Sequence, residues 1–131
     1  MKNMKISGNN TNITSSDISK NLLQRHLTFF VENNLEALMA DYTNESVLIT
    51  QDTRYTGIEE IKGYFVDLIS HFPKQKSTIE LDKTEISDDL AYIVWHGKST
   101  SLEVLFATDT FIIKNGKIYR QTFAGQLKFI S

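Results

Sequence analysis

Asp109 stands in Thr108-Asp109-Thr110-Phe111, inside a run from Leu102 to Ile113 that is rich in β-branched and aromatic residues. Strand alternation places Leu105, Ala107, Asp109, Phe111 and Ile113 on one face, so a carboxyl interrupts an otherwise apolar row. Desolvation on such a face opposes ionisation and moves a carboxyl pKa toward neutrality, which suits a general acid or base. A structural aspartate bonded to backbone or to a cross-strand partner has the same pattern. The histidines His26, His71 and His96 are the other side chains that titrate near neutral pH. His71, just before Pro73, reads as a favourable charge at a helix C-terminus. Tyr42 and Tyr55 have the apolar body and polar tip of pocket-mouth residues, although ordinary packing uses the same features.

Other chemistries have no residues to carry them. The chain has no cysteine, which excludes thiol nucleophiles, disulfides and thiolate zinc sites. No two histidines stand at i and i+4, the glycines form no phosphate-binding motif, and no serine sits in a nucleophile elbow. No metal and no organic cofactor is expected. Fourteen Lys+Arg against sixteen Asp+Glu give a net charge of -2, with no clustered basic face to attract nucleic acid or an anionic membrane. No stretch approaches the ~20 apolar residues of a membrane span, and no signal peptide is visible, so a cytoplasmic location is expected.

The 131 residues, 40% of them hydrophobic, suffice for one domain with a core of its own. Residues 1–14 are polar and read as a flexible leader, leaving residues 15–131 as a single domain. Ser16, with Asp17 in the first turn, is the expected N-cap of a first helix that runs to Asn33-Asn34. Asn34 caps a second, with Leu35, Leu38, Met39 and Tyr42 on one face. A third follows Thr56-Gly57 and stops before Pro73, after a short β-rich run at Val47–Thr50. Beyond Pro73 the period becomes two, and strands follow around Ile79, over Ala91–His96, Leu102–Ile113 and Lys117–Leu127. Helices segregated from a largely antiparallel sheet define an α+β fold.

Asn115-Gly116 marks a hairpin whose register bears on the site. A two-residue turn sets Asp109 opposite Thr122; a three-residue loop sets it opposite Gln121. In Ala91–Trp95 both strand faces are apolar, so each side needs a cover. The helices supply one, and a second copy of the chain would supply the other, as a homodimer.

The stretches Asn33–Leu38 into Asp41-Tyr42-Thr43, Tyr55–Ile61, Thr108–Phe111, Asn115–Ile118 and Gln121-Thr122-Phe123 stand in an order and spacing of their own. Together they resemble the nuclear transport factor two-like superfamily, in its SnoaL-like and ketosteroid-isomerase-like branch. The resemblance implies three helices wrapped by a curved mixed sheet, a cone with a pocket inside, and a dimer through the outer sheet face. It places Asp109 at the oxyanion-stabilising aspartic acid of ketosteroid isomerase and His26 at that enzyme's tyrosine. It also assigns the face of His96 to the pocket, and so Trp95 on the opposite face to the dimer side, and favours the longer hairpin loop, with Gln121 and Phe123 beside Asp109 and Phe111. The family's catalytic base falls on Thr50, which takes no proton at neutral pH, so steroid isomerisation is not expected. Asp109, His26 and His96 are thus the candidate catalytic residues. Gln121, Tyr42, Tyr55, Phe111, Phe123 and Thr50 are the candidate ligand contacts. The expected function is binding of a small apolar ligand with a carbonyl or hydroxyl group; the alternative is an acid/base isomerase, dehydratase or cyclase. A pocket of a few hundred Å³, typical of small-molecule sites, would favour the enzyme.

Overall fold

The structure is a computed structural model in which residues 12–130 are described. Most of the expected leader, residues 1–11, lies outside that range. Thr14 opens the first helix, α1 (Ser15–Val31): its hydroxyl accepts from the Asp17 amide while the Asp17 carboxylate accepts from the Thr14 amide. This reciprocal box needs an acid three residues after the cap, which Thr14 has and Ser16 lacks. The expected cap, Ser16, therefore lies within the first turn, where its hydroxyl accepts from the Asp88 amide. Asn34 caps the short α2 (Leu35–Met39) by accepting from the Ala37 amide. Tyr42 leaves that helix and begins a strand, β1 (Tyr42–Ile49), longer than the run expected there. A three-residue strand, β2 (Arg54–Thr56), precedes α3 (Gly57–Ser70) and is too short to show an alternation.

Four longer strands follow: β3 (Thr78–Ser87), β4 (Leu90–Lys98), β5 (Leu102–Lys114) and β6 (Lys117–Phe129). The sheet order is β2-β1-β6-β5-β4-β3, with β1 and β6 parallel and the other neighbours antiparallel. The α+β architecture is thus helices packed on one face of a curved, mixed and mostly antiparallel sheet. Leu22, Leu23 and Phe30 of α1, Leu38 of α2 and Ile61 and Phe65 of α3 meet Leu48, Ala107, Phe111 and Ile118 of the sheet in one buried core. Among the described residues no helix is long and apolar enough to cross a membrane.

Bulges bend the sheet around the helices, at Leu81/Lys83, Trp95/Gly97 and Val104/Phe106. Gly125 permits the bend next to Phe106, since a Cβ there would lie 2.9 Å from the Ala107 Cβ and 3.0 Å from the Phe106 carbonyl. The bulge resets the alternation of β5. Val104 faces the core, and Leu105, expected in the Asp109 row, is 45% exposed.

The hairpin takes neither expected register. Asn115 and Gly116 have φ of 53° and 73° and form a two-residue turn between Lys114 and Lys117. A bulge then absorbs Tyr119, since Ile113 pairs with Ile118 but Ile112 pairs with Arg120. Asp109 consequently faces Phe123, and Gln121 faces Phe111. Paired residues share a face, so Gln121 and Phe123 join Asp109 inside the cone by a different register from the one expected.

Candidate functional site

Asp109 points inward from the middle of β5 and is 7% exposed. Trp95 Nε1 donates to Oδ2 at 2.9 Å, and Gln121 Nε2 donates to Oδ1 at 3.0 Å. Burial raises the carboxyl to about 7, against these two hydrogen bonds, which favour the ionised form. Behind Gln121 the polar groups form a chain to the surface. Tyr42 donates to Gln121 Oε1 at 2.5 Å, and its hydroxyl lies 3.4 Å from His26 Nε2. His26 Nδ1 is 3.2 Å from Asp41 Oδ2, and Arg25 donates to Asp41 Oδ1 through Nη2 at 2.8 Å.

Each member is held by packing. His26 sits edge-on to Tyr42, Phe65 and Phe111, with centroids 5.6 to 6.0 Å apart. Burial of Asp41 opposes its ionisation, but the bonds from His26 and Arg25 outweigh it and lower its pKa. Burial, reinforced by the charge of Asp109, raises Tyr42 and Tyr64 far above the ordinary tyrosine range, so both stay protonated donors. The short Tyr42–Gln121 bond fixes the amide with its oxygen toward Tyr42 and its NH2 toward Asp109. Both protein partners of Asp109 are then donors. The ionised carboxyl is satisfied by them, whereas the proton of the neutral acid has no acceptor in either.

Asp109 lines a cavity of about 50 Å³. His26, Trp95, Asp109 and Gln121 provide its polar groups, Tyr64, Phe65, Phe111 and Phe123 its aromatic walls, and Leu27, Phe30, Leu68, Ile79, Leu81 and Ile93 the rest. The space suits a handful of atoms, well short of the few hundred Å³ expected for an enzyme pocket. Among the described residues no group of three or more His, Asp or Glu side chains is placed to hold a metal ion.

The structure therefore brings Asp109, His26, Gln121, Phe111 and Phe123 to one cavity and leaves other candidates outside it. Tyr42 reaches it through Gln121 without lining it. Tyr55 packs on Tyr64 at 5.1 Å and lines a separate surface groove. Thr50 closes the turn after β1, accepting from the Asp52 and Thr53 amides. His96 is the clearest correction. It lies on the outer face, its ring bonded to Asp82 at 2.8 Å and 3.8 Å from Glu80, and the Asp82 bond raises its pKa. Cross-strand pairing supplies the reason. Ile93 pairs with Asp109 and Trp95 with Ala107, so the odd-numbered residues of β4 share the inner face. Trp95, expected at a dimer face, is instead buried beside Asp109. Trp95, Arg25, Asp41 and Tyr64 are the contributors that sequence reasoning missed, and the inward parity of Asp109, followed across one strand pair, would have found Trp95.

No protein-family model matches the chain, and no curated protein matches its sequence. Solved structures match its shape. A nuclear transport factor two-like protein of unknown function from Burkholderia xenovorans LB400 superposes with TM-score 0.71 at 14% identity, covering 89% of each chain. A candidate ketosteroid isomerase from Kribbella flavida gives TM-score 0.72 at 10% identity, over 90% of this chain and 84% of that one. The epoxide hydrolase/cyclase-like enzyme of pyran ring formation in the polyether salinomycin gives TM-score 0.72 at 14% identity, over 86% and 95%. At such identities the likeness is one of fold, and chemistry has to be argued from the site.

Proposed function

We propose that this chain, which has the nuclear transport factor two-like fold, binds a small, largely apolar molecule whose oxygen accepts a hydrogen bond from neutral Asp109. One observation carries the reading: a buried carboxyl, raised to about 7, whose two protein partners are both donors. When Asp109 is protonated, the free O–H is satisfied by an acceptor in the cavity, and a ketone, aldehyde or ether oxygen supplies one. The apolar walls recognise the remainder of the ligand. The space of about 50 Å³ and the single carboxylate lining it favour binding over the acid/base alternative, and Thr50 adds no second base there.

The test is binding of 2-butanone, followed through Trp95, the single tryptophan of the chain. Binding to the neutral acid weakens as pH rises through about 7, approaching tenfold per unit above pH 8, and becomes independent of pH in Asp109→Asn. Equal affinity at pH 5 and pH 9 in the unaltered chain would contradict the reading.

The same proposal includes a homodimer through the outer sheet face. With Trp95 inside, its support is the half-buried pairs Tyr92–Thr110 and Val94–Thr108 on that face. They form a weakly polar stripe suited to an isologous contact.

A further inference from the structure

The cavity does not end at its own mouth. Leu27, Phe30, Ile79 and Leu81, which line it, also line an adjoining groove of about 330 Å³ between α1 and β3. A third depression of about 360 Å³ shares Val31 and Ile79 with that groove and runs on to Phe72 and Lys74. Val31 and Leu81 are 49% and 46% exposed along this path, although each is large and apolar. The bulge between Leu81 and Lys83 displaces the edge strand there, where β3 otherwise carries charged residues such as Glu80, Asp82 and Glu85.

Resting on the binding reading above, we infer that the ligand is an unbranched, neutral alkyl ketone, aldehyde or alcohol. Its oxygen end occupies the narrow cavity at Asp109 and its chain lies along the α1/β3 groove. Three features select this class. The cavity of about 50 Å³ admits a chain end and excludes a fused-ring body beside the acid. The groove continues from the same four apolar side chains, so a chain leaving the cavity stays covered. Glu32 lines the groove itself, whereas Lys74 lies only in its continuation, so a carboxylate carried along the groove meets like charge there. An alkyl tail gains about fourfold in affinity for each methylene fully removed from water, and about twofold where half of it stays exposed.

The experiment titrates 2-butanone, 2-hexanone, 2-octanone and 2-decanone into the full chain at pH 5, with Trp95 fluorescence as readout, and repeats the series with Val31→Ser. Val31 lines the groove but not the cavity, and its exposure makes the substitution compatible with folding. Affinity should rise at least twofold per methylene from 2-butanone to 2-octanone. Val31→Ser should leave 2-butanone unchanged and weaken 2-octanone threefold or more. A flat series with 2-butanone still bound, or a Val31→Ser loss equal at every length, overturns the groove and spares the cavity. No binding at any length overturns both.

Discussion

The proton on Asp109 has a thermodynamic consequence apart from any ligand. Its carboxyl is raised from an ordinary 3.8 to about 7 by burial, so the unfolded chain releases this proton more readily than the folded one. Stability from this group is fully present below pH 3.8 and is lost as pH rises to about 7, a total of about 4 kcal/mol. Asp109→Asn removes the dependence. Asparagine leaves one of the two donors without an acceptor, a cost that is the same at every pH. The urea-unfolding free energy of Asp109→Asn minus that of the unaltered chain should therefore grow by about 4 kcal/mol from pH 3.5 to pH 8. A difference that stays level would mean that Asp109 ionises as a solvated carboxyl does. Taking the difference also cancels His96, whose raised pKa acts in the same direction on the outer face. At this scale Asp109 was legible because one acid in an apolar alternation is conspicuous. Gln121 was placed beside it only through the family resemblance, and Trp95 was missed, because it meets Asp109 through long-range pairing that residue type does not encode.

At the scale of elements, the three helices and the longer strands were legible, whereas the cap of α1, the short β2 and the parity of the strands were not. The Asn34 cap, Pro73 and the Asn115-Gly116 turn are local signals whose physics lies within a few residues. Bulges have no such signal, and those at Tyr119 and Phe106 decided which side chains meet inside. The hairpin shows this directly, since a correct two-residue turn alone would have put Thr122 opposite Asp109. Gly125 marks the Phe106 bulge, and the close approach of Ala107 there leaves no room for a methyl group. Gly125→Ala should destabilise the domain by about 1–3 kcal/mol in urea unfolding, as overpacking does, whereas a neutral or stabilising outcome would show that the strands separate freely there.

At the scale of the whole molecule, the α+β class follows from the order of helical and alternating segments, and the curvature of the sheet was implied only by the family resemblance. Cavity size does not, because it depends on how far Tyr64, Phe65, Phe111 and Phe123 close on one another. The dimer proposal belongs here too. Light scattering at micromolar concentration should give twice the chain mass, and Val94→Glu on the outer face should give the monomer with Trp95 still bonded to Asp109. A monomer in the unaltered chain would contradict that face as an interface. The central claim is a carboxyl that is neutral for half the molecules near pH 7 and free to donate into the cavity. Trp95 Nε1, 2.9 Å from that carboxyl, is its built-in reporter. Followed by NMR from pH 4 to pH 9, the indole N–H resonance should shift with a midpoint near 7 and hold still in Asp109→Asn. A midpoint below pH 5 in the folded chain would contradict the account.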